Sequence, residues 1–283
     1  MYPPVATKNP SAVEAEVQAT HHSLFPDAEP SIVPQAFAWA AECFSGHHSD
    51  YQPVDAGYHD FEHTLQGTLC FARLILGRTR AGAEPGVTPR MFQLGLLAIL
   101  FHDTGYLKKR GDNLGTGAKY TVTHVERSAE FASNFLRDRG FVASELIAIQ
   151  NMIRCTGLDA NLGQIHFQSE LERVLGHALS TADMLGQMAA ADYVDKLPVL
   201  YAEFVEAAAY APDKTHFVAF FSSARDLMEK TPLFWKNYVQ GKLDGEFRGL
   251  HHFLRSPYPD GPNWYFDQIE ANMARLRTHL QAP

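Results

Sequence analysis

An apolar stretch reading MFQLGLLAILF, residues 91–101, says more about this fold than any other part of the sequence. Thr88 and Pro89 precede it, in the positions of a helix N-cap and a first helical residue. Apolar side chains then occupy nearly every face of the predicted helix. Such a helix is stable only when neighbouring elements cover it on all sides, so the sequence predicts a helix at the centre of a bundle.

Amphipathic helical periodicity dominates the rest of the chain, and no alternating strand pairs or tight hairpins are evident. The fold predicted from this pattern is all-α. A capping box at Thr123 and Glu126 and a stop at Gly140 delimit one helix. The other predicted helices lie in SIVPQAFAWAAECF, TLQGTLCFARLIL, ASELIAIQNMIRCTG, ELERVLGHALSTADMLGQMAA, LPVLYAEFVEAAA, HFVAFFSSARDLMEK, PLFWKNYVQG and WYFDQIEANMARLRTHL.

The chain contains neither a long linker nor an internal repeat, and its 283 residues are 46% hydrophobic. We therefore predict a single domain over residues 1–283, with a helical core at about residues 31–210 and a helical extension at about 211–283. The sequence does not indicate an oligomeric state.

The charge balance, 24 basic against 32 acidic residues, argues against a nucleic-acid duplex as a partner but allows a small phosphorylated molecule. The first residues do not resemble a secretory signal, and no later stretch is apolar enough to cross a membrane. Cys43, Cys70 and Cys155 are far apart and odd in number, which favours reduced thiols. We expect a cytoplasmic protein without membrane association.

The pair His102 and Asp103 ends the apolar helix. An ionised carboxylate in such surroundings needs a partner, and a bound cation is one of the few that can offset its desolvation. The alternative is a helix end turned to solvent, with Gly105 stopping the helix.

Two further segments offer groups that bind metals. His59 and His63, in GYHDFEH, are four residues apart and would lie about 40° apart on one face of a helix. Asp183 lies in the mostly apolar ALSTADMLGQ, where the alternative is local capping by the hydroxyls of Ser180 and Thr181. Imidazole and carboxylate together suit zinc, iron or manganese better than calcium.

The order of His63, the His102–Asp103 pair and Asp183 resembles the HD-domain superfamily of metal-dependent phosphohydrolases, over roughly residues 57–185. The stretch YHDFEHT is similar to the Tyr-His-Asn-x-x-His-Ala motif that opens the catalytic domain of cyclic-nucleotide phosphodiesterases. Asp60 and Thr64 depart from that motif. The resemblance implies an HD-domain helical bundle with a carboxy-terminal helical extension.

The resemblance also implies a site. His63, His102, Asp103 and Asp183 would bind a first metal, iron, manganese or zinc. Asp103 would bridge to a second ion, magnesium or manganese, held mostly by water. His59 would be the general acid that protonates the leaving oxygen. The implied activity is hydrolysis of a phosphoester, a phosphodiester or nucleotide, by metal-activated water. A nucleotide monophosphatase and a non-catalytic nucleotide-binding module remain alternatives.

Further residues are candidate substrate contacts. His124 matches a histidine that in HD proteins serves the second metal or the phosphate, and the alternative is an exposed residue in a first helical turn. Lys108 and Lys109, with Arg110, could attract a phosphate, or could be solvated cations beyond a helix end. The following GDNLGTGAKY could form a lid.

Two departures from known HD enzymes stand out. His166 and His177 are isolated, which disfavours a di-iron oxygenase, and the tail lacks a convincing glutamine to hold a purine. Most aromatic residues of the tail are predicted to be core, although one or two could stack on a base. They are Phe217, Phe220, Phe221, Phe234, Trp235 and Tyr238.

Overall fold

A computed structural model describes residues 2, 4–157, 160–211 and 220–281. Within those residues the regular structure is helical, and β-pairing is limited to two isolated bridges. The all-α prediction is therefore confirmed. The α-helices are α1 (Pro10–Leu24), α2 (Ile32–Phe44), α3 (Phe61–Arg80), α4 (Pro89–Phe101), α5 (His124–Arg137), α6 (Ala143–Arg154), α7 (Glu170–Met188), α8 (Tyr193–Tyr210), α9 (Ala224–Leu233), α10 (Gln240–Asp244) and α11 (Trp264–Gln281).

Helix α4 lies at the centre of the bundle, as predicted. Its residues from Phe92 to Phe101 are all buried, and it packs against α2, α3, α6 and α7. The hydroxyl oxygen of Thr88 accepts a hydrogen bond from the Met91 amide at 3.2 Å, so the predicted cap is present. The α3–α7 pair forms the most extensive helix contact in the described chain. These three helices supply the side chains discussed below.

Helix α1 was not predicted, because its apolar stripe is narrow and interrupted by polar residues. Val13, Val17 and His21 are buried on the side that packs against α2 and α3. A periodic signal resting on so few apolar residues is weak.

The capping box predicted at Thr123 and Glu126 is wrong. The Thr123 hydroxyl donates to the Tyr120 carbonyl at 3.3 Å and makes no cap bond. Glu126 instead accepts three hydrogen bonds from the Arg154 guanidinium, at 3.0, 3.1 and 3.0 Å. The helix α5 still begins at His124, because α5 is held by packing on α6 and on the preceding segment.

The tail differs from its prediction in two ways. Helix α9 begins at Ala224, where the Ser223 hydroxyl accepts from the Asp226 amide, while residues 212–219 lie outside the described part. The segment predicted as a separate helix continues α9 through a π-helical turn, Phe234–Val239, into α10. Trp235 is buried core, as predicted, but Phe220 is 68% exposed, and Phe217 falls among the undescribed residues.

The last helix closes the bundle over α7. The Asn272 side-chain amide donates to the carbonyls of Met188 and Ala190 at 2.8 Å each, so it caps the carboxy end of α7.

The division into core and extension stays a prediction. All three cysteines are free and buried. Among the described residues, no helix has the length and hydropathy needed to span a membrane.

Acid is expected to destabilise the fold partly through His177. Burial beside the Phe167 and Phe247 rings, with the charges of Arg248 and Arg173, lowers its pKa from 6.5 to about 4. Between those values the unfolded chain takes up a proton that the folded chain does not, so stability falls as the pH falls. Urea unfolding at pH 7 and pH 5 should show His177→Gln losing about 1 kcal/mol less than the wild type, after allowance for solvent screening.

A matched variant, His279→Gln, alters an exposed histidine of α11 and should keep the wild-type pH dependence. Equal pH dependence in His177→Gln and the wild type would show that His177 takes up its proton in the folded protein as well.

Candidate metal centre

The start of α3 places His63 and leaves His59 outside the helix. The Asp60 carboxylate accepts a hydrogen bond from the His63 amide at 2.8 Å, so Asp60 is the N-cap and the helix begins at Phe61. The predicted placement of both histidines on one helical face is therefore wrong. The chain still brings the two rings together, with centroids 5.2 Å apart.

The end of α4 buries the His102–Asp103 pair, each residue being only 1% exposed. The alternative of a helix end turned to solvent is therefore wrong. His102 Nδ1 lies 2.7 Å from the Ile99 carbonyl oxygen, and because a carbonyl only accepts, Nδ1 carries the hydrogen. The other nitrogen, Nε2, is left free to bind a ligand.

Helix α7 supplies Asp183, and a chain of hydrogen bonds holds its carboxylate. The Gln187 amide donates to Asp183 Oδ1 at 3.2 Å, and the Tyr58 hydroxyl donates to Gln187 Oε1 at 2.7 Å. The hydroxyls of Ser180 and Thr181 donate instead to backbone carbonyls, so the alternative of local capping is wrong. Asp183 is oriented from across the bundle.

These side chains converge on one point. His63 Nε2 lies 3.2 Å from both Asp103 Oδ2 and Asp183 Oδ1. His102 Nε2 lies 3.3 and 3.5 Å from the same two oxygens. Ligand atoms bonded at about 2.1 Å to one metal ion are separated by about 3.0–3.4 Å from each other, so the spacing is that of a coordination shell.

Two atoms of this group are buried without a hydrogen-bond partner, His102 Nε2 and Asp103 Oδ2. A metal-binding His102 must be neutral and present a lone pair at Nε2, and a carboxylate oxygen only accepts, so without a cation between them these two atoms would repel each other. A cation between them removes both the repulsion and the desolvation penalty. The residues present therefore fit a divalent metal ion.

In the protein without metal, a proton takes the place of the cation. Burial by itself lowers the pKa of His63, but the neighbouring Asp103 and Asp183 carboxylates outweigh it and raise the pKa to about 10. Burial also lowers the pKa of His102, and the same two carboxylates outweigh it and raise the pKa. Burial likewise raises the pKa of the Asp103 carboxyl, and the charges of His102 and His63 hold it well below its usual range. A metal ion bound here must displace the proton from His63.

His124 approaches the other oxygen of the Asp103 carboxylate. Its Nε2 lies 3.8 Å from Asp103 Oδ1, while its Nδ1 lies 2.6 Å from the Thr121 carbonyl. The His124 side chain is 15% exposed, so it is not the exposed residue of the alternative interpretation. Asp103 thus faces His63 and His102 with one oxygen and His124 with the other.

A close backbone contact positions His124. A Cβ atom on Gly105 would lie only 2.0 Å from the His124 carbonyl oxygen. The Gly105 amide donates to Ser128 Oγ at 2.8 Å, and Arg127 donates to the Gly105 carbonyl at 2.7 Å. Gly105 therefore does not serve as the helix stop that the sequence suggested. It lies in the 3₁₀ turn Thr104–Tyr106 and lets α5 approach the cluster.

Glu203 of α8 fixes the His59 side chain through its Nδ1 atom. His59 Nδ1 and Glu203 Oε2 are 2.6 Å apart, and the Tyr58 amide donates to the other oxygen at 2.7 Å. Burial raises the pKa of Glu203, but the charge and hydrogen bond of His59 more than offset this, so the carboxylate is ionised and Nδ1 donates. The imidazole stacks on the Tyr106 ring at 4.4 Å.

Sequence reasoning missed Glu203, Gln187 and Tyr106. Glu203 and Gln187 are polar residues of amphipathic helices, where they look like solvent-facing positions. The one feature of the sequence that could have indicated a buried Glu203 is its position between two apolar residues, Ala202 and Phe204.

The basic run after α4 has other partners. The Lys108 ammonium group lies 2.7 Å from both Asp55 Oδ2 and the Gly115 carbonyl oxygen. Arg110 donates to backbone carbonyls near residue 48, and Lys109 is exposed. The phosphate-binding role of Lys108 and Lys109 stays a prediction, and so does the lid.

Hydrogen bonds tie the predicted lid segment to its surroundings. The Thr116 hydroxyl donates to Glu206 Oε2 of α8 at 2.7 Å, and the Gly117 amide donates to Asp55 Oδ1 at 2.7 Å. The Lys119 ammonium group lies 2.6 Å from Asp112 Oδ1 within the segment. Opening of such a lid would have to break these bonds.

The fold and the cluster define an all-helical protein with a buried histidine and aspartate group able to hold a metal ion. Residues 31–252 match the model of the Npun_R2479-like family, and the chain belongs to that family. The match contains every residue of the cluster. No curated protein matches the chain. The family name states no activity, so the resemblance to HD-domain enzymes stays a prediction.

Proposed function

We propose that this protein is a metal-dependent phosphohydrolase that hydrolyses a phosphoester, a phosphodiester or nucleotide, at the His63, His102, Asp103 and Asp183 cluster. The observation that carries the proposal is the buried pair of His102 Nε2 and Asp103 Oδ2, which lie 3.3 Å apart and have no hydrogen-bond partner. The order of these residues along the chain, which resembles that of HD-domain hydrolases, supports the same assignment.

The four side chains would hold iron, manganese or zinc, and Asp103 Oδ1 with His124 would face a second ion such as magnesium or manganese. A divalent cation bound there supplies Lewis acidity to the phosphoryl oxygens and lowers the pKa of the attacking water. The protein contributes the rigid placement of its ligands. Ile99 fixes the His102 ring and Gln187 fixes the Asp183 carboxylate.

His59 is suited to deliver the proton that the leaving oxygen needs. Its Nδ1–H is committed to Glu203, so Nε2 is the nitrogen that can exchange a proton with a substrate. The ionised Glu203 fixes the orientation of the ring. His59 is 15% exposed and so can meet a substrate that reaches the cluster.

The proposal is tested by metal analysis and hydrolysis assays on protein purified without a chelator or a metal-affinity column. We expect one or two metal ions per chain, together with metal-dependent turnover of bis(p-nitrophenyl) phosphate that a chelator abolishes. Faster turnover of p-nitrophenyl phosphate would favour the monophosphatase. Thermal stabilisation by nucleotides without hydrolysis of any phosphoester, with metal restored, would favour the binding module.

Replacing His59 with alanine should lower kcat by about 10²–10³ without emptying the metal site, because a general acid contributes that order of rate enhancement. Glu203→Gln keeps the shape and removes the charge, and we expect a smaller loss of about tenfold, since a neighbour that only orients the acid is worth less. Steady-state kinetics and metal content per chain, measured on the same preparations, check both.

Loss of metal from His59→Ala would contradict this assignment and make His59 a ligand. That outcome is a real alternative, because His59, His63 and Asp103 also lie close enough together to share an ion.

A further inference from the structure

We propose that Asp244, His251 and His252 form a second transition-metal site, of which Zn²⁺ is the best-matched occupant. The three residues meet where the chain reverses direction after α10. The Gly249 amide donates to the Leu243 carbonyl at 2.8 Å, and Gly249 has φ +69°, in the left-handed region that glycine favours. The 3₁₀ helix Leu250–Leu254 then returns both histidines to the end of α10.

The ligand atoms converge on a single oxygen. His251 Nε2 lies 3.5 Å and His252 Nε2 lies 3.9 Å from Asp244 Oδ1. One ligand atom from each residue lies within 4.8 Å of the other two. The side chains of Asp244 and His252 are 67% and 51% exposed, so both can move toward His251 and close a shell with spacings of about 3.0–3.4 Å.

His251 is the fixed member of the group. It is 4% exposed, and its ring stacks on Phe266 with centroids 5.0 Å apart and an interplanar angle of 16°. Apolar surroundings favour the neutral imidazole, which is the form that binds metals.

The group does not satisfy itself by hydrogen bonding. Separations of 3.5 and 3.9 Å are too long for good hydrogen bonds between imidazole and carboxylate. Two imidazoles and one carboxylate form the donor set of three-ligand zinc sites, where water completes the tetrahedron. Copper and nickel accept the same donors, whereas calcium and magnesium prefer oxygen alone. An ion here would tie α10 to the 3₁₀ helix.

The test is zinc titration of the full chain, untagged and stripped of metal, against a chromophoric zinc chelator. We expect His252→Ala and Asp244→Asn each to lose one zinc equivalent, or to bind it at least about tenfold more weakly, because losing a direct ligand costs no less than losing a residue that only orients a ligand. The matched control is His279→Ala, which removes another exposed histidine.

Zinc should also raise the thermal unfolding temperature of the wild type more than that of His252→Ala. Both substituted side chains are exposed, so circular dichroism should show folded variants. Equal zinc stoichiometry and affinity in all four proteins would overturn the proposal. The result does not depend on the hydrolase assignment, since the two groups share no residue and the readout is not activity.

Discussion

Replacing Asp103 with asparagine is expected to abolish both metal binding and phosphoester hydrolysis while leaving the helical fold intact. The substitution keeps the side-chain shape and removes the one carboxylate that faces His63, His102 and His124. An amide oxygen is a poor ligand for a borderline-soft ion among imidazoles, and it cannot offset the ion's charge. We expect the metal affinity to fall by more than about 100-fold, which exceeds the loss typical when a residue that only orients a ligand is replaced.

The folded state should tolerate this change, because the rest of α4 is apolar core that does not depend on Asp103. Circular dichroism and urea unfolding check the fold, elemental analysis checks the metal, and hydrolysis of the diester checks activity. Asp138→Asn, at the exposed carboxy end of α5, is the matched control and should behave as the wild type. Retained metal and turnover in Asp103→Asn would refute the proposed centre.

Replacing Gly186 with alanine is expected to disrupt the site without altering any ligand. A Cβ atom at Gly186 would lie 2.7 Å from the Gln66 carbonyl carbon and oxygen and 2.8 Å from the Gly67 nitrogen. These are backbone atoms of α3, so they cannot rotate away as a side chain does. The two helices must separate, which costs about 1–3 kcal/mol and exceeds the roughly 1 kcal/mol that alanine gains over glycine in a helix.

The separation acts directly on the ligands. His63 lies one turn before Gln66 in α3, and Asp183 lies one turn before Gly186 in α7. Pushing the helices apart lengthens the 3.2 Å separation between His63 Nε2 and Asp183 Oδ1. We therefore expect a lower free energy of unfolding and at least about tenfold weaker metal binding. Tenfold is the lower end of the loss of affinity seen when residues that orient metal ligands are disturbed.

Gly241→Ala provides the comparison. Gly241 lies in α10 with no atom within 4 Å of the position of an added Cβ, so alanine there should be neutral or stabilising by up to about 1 kcal/mol. Urea unfolding and metal titration of the two variants separate a general effect of alanine from the specific crowding. If Gly186→Ala matched Gly241→Ala in unfolding free energy and metal affinity, the α3–α7 contact would be shown to accommodate a methyl group without moving the ligands.

The sequence was most informative where local chemistry and fold agree. Helix α4 could be predicted because a cap, a proline and a continuous apolar run all indicate the same element. His102 and Asp103 could be singled out because charged residues inside such a run are costly. The convergence of α3, α4 and α7 could be expected only through the resemblance to HD-domain proteins, because no local pattern reports which helices meet.

What the sequence could not reveal depends on distant contacts. Glu203 acts on His59 from 144 positions away, and nothing near either residue signals the pairing. His59 lies outside α3 because the side chain of Asp60 caps the helix, which therefore begins at Phe61. At Thr123, by contrast, no side-chain cap forms, and α5 begins at His124 because of its packing on neighbouring elements.

The contact between Gly105 and the His124 carbonyl has a consequence for how this family can diverge. No side chain fits at position 105 while α5 keeps its approach to the cluster, so a substitution of Gly105 would displace His124. Relatives that retain His124 should retain glycine there, and relatives that lose the glycine should show a displaced or redesigned α5. The spacing His-Asp-x-Gly therefore records a steric demand of the neighbouring helix, and its loss during evolution would mark branches whose chemistry has changed.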